Sequence, residues 1–386
     1  MLTPFNVPPT IIVGAGASRE LPTQIKRLRA TRVLLVTDRF FEQNGLAAHV
    51  VQLLDQEGIA AHVVADVQPD PTVGNVQAGL RAYHGSQAEA IVALGGGSPI
   101  DAAKAIAILT TNPEPLSQYA GYHNIPNAGA PLIVIPTTAG TGSEVTKVAV
   151  ITDTERDVKM MILDLHLLAT VALVDYELTM SMPRGLTAFV GVDTLTHGIE
   201  AYVSRKSNGL TDPIALSCIR LVASHLATAW NESGNRTARE AMALAACQGG
   251  MAFSNSSVCL VHGMSRPIGA VFHLPHGLSN AVLLPTVTRF SLSGAPQRYA
   301  TIARTMGVAS EQDSDEAAGQ TLVDGLEALN VRLAIPRLGA CLGVDQQRFE
   351  QIVEKMAQDA LASGSPQNNP VVPTAQQIVD LYWQAW

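Results

Sequence analysis

The sequence predicts an α/β domain built on a parallel sheet covered on both faces, followed by an all-helical domain. Three observations predict it. Through about the first 175 residues, short apolar runs alternate with stretches of helical spacing. The runs are continuously apolar, which marks strands buried on both faces. From Pro183 onward strand signals vanish, and Ala and Leu recur at helical intervals. The first domain is expected over residues 1–181 and the second over 182–386.

The strands expected in order are 32–37 (RVLLVT), 61–66 (AHVVAD), 90–94 (AIVAL) and 132–135 (LIVI). Helices are expected between them, as over 42–56 and 73–83, and another over 101–109. Residues 147–152 and 159–163 read as a β-hairpin, and 171–174 as one more strand. Met182-Pro183 opens the helical domain, with Pro near a helix N-terminus. The stretch SGSPQNNPVVP over 363–373 reads as a loop, and Thr374 as the N-cap of a final helix over 374–386.

Composition excludes several classes. Of the 386 residues, 47% are hydrophobic and only 15% charged, which rules out disorder and leaves much of the chain as interior or interface. Lys and Arg number 25 against 33 Asp and Glu, a net charge of −8 with no basic run, so no nucleic-acid partner is expected. No apolar stretch approaches the roughly 18 residues of a membrane helix, and the N-terminus has no signal-peptide pattern. The cysteines Cys218, Cys247, Cys259 and Cys341 are scattered without a C-x-x-C, as in a reducing cytoplasm.

Two glycine clusters compete for phosphate binding. Gly14-Ala15-Gly16-Ala17-Ser18-Arg19, with Asp38 24 residues after Gly14, mimics a dinucleotide fingerprint. Its third position is Arg19, where helix–strand packing requires Gly or Ala, so it reads as a turn before a helix. Gly95-Gly96-Gly97-Ser98 instead follows a strand directly and opens a helix. Glycines there let backbone N–H groups approach a diphosphate at the positive end of the helix dipole. A third segment, PTTAGTGSE over 136–144, brings hydroxyls and glycines to another strand end. Asp38 ends a strand on the same side. It reads either as a ribose-binding acid that favours NAD over NADP or as a helix cap.

A metal constellation emerges further on. Asp193 and His197 are four apart in a helical pattern and share one face. His262 and His276 are 14 apart, about 21 Å in an unbroken helix, but Pro267, Gly269 and Pro275 supply a break. One Asp and three His suit Fe(II), Zn(II) or a similar ion acting as a Lewis acid on an alkoxide. His273 reads as a rim or pocket residue, and the remaining histidines as surface or core residues.

These motifs together resemble the iron-containing (group III) alcohol dehydrogenases over nearly the whole chain. The stretches that carry the resemblance are GGGSPIDAAKA at 95–105, PTTAGTGSEVT at 136–146, GVDTLTHGIEAY at 191–202, VHGM at 261–264, LPHGLSNAVLLP at 274–285 and the tail LYWQAW. The resemblance implies a Rossmann-like N-terminal domain and a helical C-terminal domain, the fold shared with dehydroquinate synthase, with the active site in the cleft between. It implies that Asp193, His197, His262 and His276 are metal ligands, for Fe(II) with Zn(II) as the alternative. It places Gly96, Gly97 and Ser98 in the diphosphate loop. It makes Thr137, Thr138, Thr141 and Lys159 cofactor contacts, packs Leu178 on the cofactor, and sets Asp38 where NAD-preferring members carry an acid. It also implies a homodimer or larger assembly.

One departure matters. Many members carry a second histidine four residues after the first in VHGM, with a proton-relay role, and here that position is Arg266. Arginine cannot shuttle a proton at neutral pH, but it can clamp a carboxylate, sulfonate or phosphonate. The alternative is a structural arginine. The expected function is an NAD-dependent, metal-dependent alcohol dehydrogenase or aldehyde reductase acting on a small alcohol, with an acid-bearing one favoured if Arg266 is a clamp. The rivals are a metal-free reductase resembling maleylacetate reductase, a metal-dependent lyase resembling dehydroquinate synthase, and a non-catalytic metal-binding protein.

Overall fold

The computed structural model describes residues 3–156, 158–343 and 345–386. The chain divides into two compact units, Asn6–Met180 and Ser181–Trp386, the latter taking in residues up to Phe5.

The first unit contains strands β1 (Thr10–Val13), β2 (Arg32–Val36), β3 (Ala60–Val64), β4 (Ala90–Gly95), β5 (Gly121–Tyr122), β6 (Leu132–Pro136), β7 (Val148–Asp153), β8 (Val158–Leu163) and β9 (Val171–Val174). Its helices are α1 (Leu21–Arg27), α2 (Arg39–Gln43), α3 (Leu46–Asp55), α4 (Val73–Gly85) and α5 (Gly97–Leu109). Six strands form a parallel sheet in the order β1-β9-β6-β4-β2-β3. Apolar clusters cover both faces, one built around Leu34, Ile91 and Ile106, the other around Leu35, Val92 and Ile133. This is the parallel, doubly covered sheet expected from the sequence.

The order of strands sets where a ligand can sit. From β2 the chain moves outward to β3, then returns to β4 on the other side and continues outward to β6. The carboxyl ends of β2 and β4 therefore flank a topological switch point, the usual crevice for ligands in open α/β sheets. The Thr37 hydroxyl donates to the Leu94 carbonyl at 2.8 Å and ties these two strand ends together.

Several boundaries differ from expectation. Strand β1, paired with β9 at the edge of the sheet, is absent from the strands expected from the sequence. The expected helix over 42–56 is two helices, because Gly45 at φ 87° separates α2 from α3. Helix α5 begins at Gly97, four residues before the expected start at Asp101. The hairpin is present as the antiparallel pair β7 and β8, with β5 added alongside β8.

The second unit is helical: α6 (Arg184–Val203), α7 (Thr211–Asn231), α8 (Arg236–Asn255), α9 (Leu260–Phe272), α10 (His276–Ser291), α11 (Pro296–Thr305), α12 (Asp315–Arg332), α13 (Leu338–Leu342), α14 (Gln346–Ala362) and α15 (Ala375–Ala385). Thr374 caps α15 in a capping box with Gln377. Within the stretch expected as loop, residues Ser365–Asn368 form a 3-10 turn. The Tyr382 hydroxyl donates to the Met264 carbonyl at 2.6 Å, anchoring α15 to α9.

Helix α7 corrects the expectation about apolar stretches. At 21 residues, it is long and apolar enough to cross a membrane by length and composition. Its buried residues Ala215, Cys218, Ile219, Val222, Leu226 and Ala229 recur every three to four positions, the stripe of a core helix, and it packs on α6 and α8. The sequence reading missed it because Arg220 and His225 interrupt the apolar run.

Candidate cofactor loops and metal centre

The two sets of candidate residues lie in different units. In the first unit, Gly96 stands at the N-cap of α5 with extended backbone, and Gly97 is its first residue. The N–H groups of that first turn have no partner within the helix. A Cβ on Gly97 would come 3.2 Å from Thr141 Cγ2, and one on Gly96 would come 3.4 Å from Thr138 Cγ2. The glycine loop and the threonine loop thus face each other at contact distance. Thr137 N–H donates to the Gly95 carbonyl at 3.0 Å, but its buried Oγ1 has no hydrogen-bond partner among the described residues. A buried hydroxyl without a partner is costly, and beside a glycine-lined helix N-terminus it fits a polar ligand that supplies the missing bond.

The other candidates are placed as follows. Ser98 is half-buried in the first turn of α5. Asp38 follows β2 at the switch point and caps α2, accepting from Phe41 N–H at 3.1 Å. Burial raises its pKa, and the amides of Phe41 and Phe40 oppose that. Leu178 lies in a short turn after β9 and packs on the sheet core. Asp38, the glycine loop, the threonine loop and Leu178 thus share the carboxyl edge of one sheet. Lys159 does not belong to that edge. It lies on β8 in the three-stranded sheet, exposed, and pairs with Asp70 at 2.8 Å.

The competing cluster at Gly14 is a turn, as read from its mismatch. Its amides already have an anion: Asp175 accepts from Gly16 N–H at 3.1 Å, Ser18 N–H at 3.2 Å and the Ser18 hydroxyl at 2.6 Å.

In the second unit, α6 carries Asp193 and His197, both buried. Helix α9 carries His262 and runs through Pro267 to Phe272. The break comes at His273, in the left-handed region at φ 54°, and His276 opens α10. A Cβ on Gly277 would come 2.7 Å from the Phe189 carbonyl, so only glycine lets the first turn of α10 press on α6. That contact brings His276 to Asp193.

One donor atom each from Asp193, His262 and His276 lies within 4.8 Å of the other two. His262 Nε2 is 3.6 Å and His276 Nε2 3.9 Å from Asp193 Oδ1. His197 lies next to this set, its Nε2 3.7 Å from Asp193 Oδ1 and its ring stacked on His262. Asp193 and His262 are buried, whereas half of the His276 side chain is exposed, so the centre opens on that side. Burial opposes the charge on Asp193, but His197, His276 and His262 outweigh it and hold its carboxyl well below the usual range. Burial likewise opposes a charged His262, but Glu200 and Asp193 prevail and raise its pKa to about 9.

The sequence reading missed two residues. Asn280 Nδ2 lies 2.6 Å from Asp193 Oδ1, 3.2 Å from His262 Nε2 and 3.1 Å from His276 Nε2, while its buried Oδ1 has no partner among the described residues. An amide group has two hydrogens for these three acceptors. With the rings neutral, as metal ligands must be, the centre holds more lone pairs than the protein satisfies, and a divalent cation that displaces the Nε2 proton fits it. Glu200 accepts from His262 Nδ1 at 2.6 Å. The signal for each was spacing: Asn280 is four residues after His276, and Glu200 three after His197.

Two family models match the chain. Residues 8–176 match "Iron-containing alcohol dehydrogenase", and residues 187–386 match "Fe-containing alcohol dehydrogenase family, C-terminal". The chain belongs to the iron-containing alcohol dehydrogenase family. It is 37% identical to the NAD-dependent methanol dehydrogenase of Bacillus methanolicus, over 98% of this chain and 99% of that one. It is 38% identical to the lactaldehyde reductase of Escherichia coli K12, over 97% of each. The crystal structure of a 1,3-propanediol oxidoreductase superimposes with a TM-score of 0.97 at 36% identity and covers 100% of both chains. The iron-containing alcohol dehydrogenases similar to this chain thus include enzymes named for alcohol oxidation and for aldehyde reduction.

Proposed function

We propose that this protein is an NAD(H)-dependent, metal-dependent alcohol dehydrogenase or aldehyde reductase acting on a small alcohol. The observation that carries the proposal is the convergence of Asp193, His262 and His276 donor atoms within 4.8 Å, open at His276. With His197 as fourth ligand, they would hold Fe(II), or Zn(II) in its place. Such an ion supplies Lewis acidity toward an alcohol or carbonyl oxygen, and NAD(H) supplies hydride exchange.

The chain's own residues do the rest. Residues 1–181 bind the cofactor: the N–H groups at Gly97 and Ser98 face the diphosphate, Gly96 gives it room, and Thr137, Thr138 and Thr141 offer hydroxyls. Asp38 accepts from the ribose and Leu178 gives an apolar wall, whereas Lys159, on the other sheet, would have to leave Asp70 to add a cation. Residues 182–386 hold the metal. Arg266 keeps its charge at any working pH, so it is not the proton relay. It lies one turn after His262, and we assign it to binding an acid group on the substrate. Free thiols at all four cysteines support a cytoplasmic setting. The low charged fraction supports a homodimer or larger assembly.

A panel of small alcohols and aldehydes, assayed with NAD(H) after loading with Fe(II) or Zn(II), tests this reading. Steady NADH formation is expected, together with loss of bound metal in a folded His262→Ala variant. Turnover that does not depend on metal, or full metal content in that variant, refutes the assigned centre.

A further inference from the structure

Beneath the threonine loop lies a buried cluster for which the reading above has no use. Helix α5 carries Asp101 and Lys104 one turn apart, and Lys104 is 0% exposed. Its Nζ donates to the carbonyls of Ser143 at 2.6 Å, Thr146 at 2.8 Å and Val148 at 2.9 Å, with Thr146 Oγ1 at 3.0 Å. Asp101 accepts from the Ser143 hydroxyl at 2.7 Å on one oxygen and from Val150 N–H at 3.0 Å on the other. Together they fasten residues 143–150 to the body of α5.

The same helix begins in the glycine loop. Its N-terminus and the loop that faces it are thus held by one rigid element. Gly142 turns the chain at φ 62° just before the fastened segment, and Thr141 precedes it, at contact distance from Gly97. The turn over 143–148 points three carbonyls at Lys104, and that of Ser143 also accepts the Thr146 N–H at 3.3 Å. One ammonium with three hydrogens supplies all three, which an apolar side chain cannot do. Burial lowers the pKa of Lys104 to about 8, against the pull of Asp101 and Glu144, so it stays a cation at neutral pH.

We infer that Lys104, supported by Asp101, is a positioning residue for the cofactor. It sets the Thr137–Thr141 wall against the Gly96–Ser98 turn, so that the space for a dinucleotide diphosphate is formed before the ligand arrives. A preformed site avoids the ordering cost that a loose loop would charge against binding. This inference rests on the reading of the two loops as the NAD(H) site.

The test compares wild type with Lys104→Met and Ser143→Ala in the metal-loaded full chain. NADH affinity is read by fluorescence titration, folding by circular dichroism, and metal by elemental analysis. Lys104→Met is expected to keep its metal and to weaken NADH binding about tenfold or more, while KM for the alcohol at saturating cofactor moves less than about twofold. Ser143→Ala loses one tie and keeps the ammonium, so an intermediate loss is expected. If Lys104→Met does not fold, Ser143→Ala alone decides. Unchanged NADH affinity in a folded Lys104→Met, or in Ser143→Ala when it decides alone, overturns the inference. A change in KM for the alcohol as large as that for NADH also overturns it. A wild-type protein that binds no NADH refutes the cofactor reading itself.

Discussion

His262 Nδ1 lies 2.6 Å from Glu200 Oε2, and the same carboxylate accepts the N–H groups of Cys259 at 2.8 Å and Val261 at 2.6 Å. One buried acid therefore starts helix α9 and orients the ring that follows it. Because a carboxylate only accepts, Nδ1 carries a proton, and Nε2 faces the donor cluster. This pairing of carboxylate and imidazole is the arrangement that makes a histidine a better metal ligand.

Glu200→Gln should therefore weaken metal binding about 10- to 100-fold. Gln offers one oxygen to three donors, and its amide turns at least one N–H toward another. Competition with a graded chelator, followed by metal analysis of Fe(II)- and Zn(II)-loaded protein, measures the affinity. Wild-type affinity in the variant would show that Glu200 serves only the start of α9.

Asp38 gives a sharper separation of roles, because it caps α2 and also stands at the switch point of the sheet. Asp38→Gly should cost only a few tenths of a kcal/mol, since glycine is tolerated at an N-cap. The same change should bring kcat/KM with NADP(H) toward the value with NAD(H), by removing repulsion of a 2′-phosphate. Equal efficiency with both cofactors in the unmodified protein would contradict this role.

The contrast between Asp38 and Glu200 shows what the sequence made legible. Strands β2, β4 and β6 stand out because a strand buried on both faces must be apolar throughout. The glycine loop stands out because it joins such a strand to a helix. Strand β1 does not, since an edge strand of four residues is fixed by β9, some 160 positions away in sequence. The metal donors were visible in the Asp-x3-His spacing and the broken His–His segment. Glu200 and Asn280 act across 62 and 87 positions, on His262 and Asp193, and only tertiary packing reveals those pairs.

Glu144 predicts how stability depends on pH. It is buried, and burial pushes its pKa up from 4.5 to about 7, with Lys104 opposing. The folded protein thus keeps a proton that the unfolded chain releases near 4.5. Its contribution is fully present below 4.5 and is lost as pH rises through 7, amounting to about 3 kcal/mol at most. Denaturant titrations at pH 5 and pH 8 should show a smaller loss of stability over that interval in Glu144→Gln than in wild type. Parallel losses would place the titration elsewhere.

Arg266 carries the most specific prediction about substrate. It is half-buried on α9, about 6 Å along the helix from His262, and its Nη1 donates to the Ser365 hydroxyl at 3.0 Å. A guanidinium beside a cationic metal is repelled unless negative charge sits between them, and an acid group on the substrate would provide it. Arg266→Ala should then raise KM for an alcohol or aldehyde bearing a carboxylate or sulfonate about 10- to 100-fold, the scale of one charge-assisted hydrogen bond. Ethanol and butanol should change far less. Ser365→Ala separates holding from binding: it removes one tie on the side chain while keeping the charge, so its effect on the acidic substrate should be smaller than that of Arg266→Ala. If Arg266→Ala depresses both substrate classes equally, or if simple aliphatic alcohols are the best substrates, the arginine serves α9 and its partner turn, and selectivity for an acid must arise elsewhere.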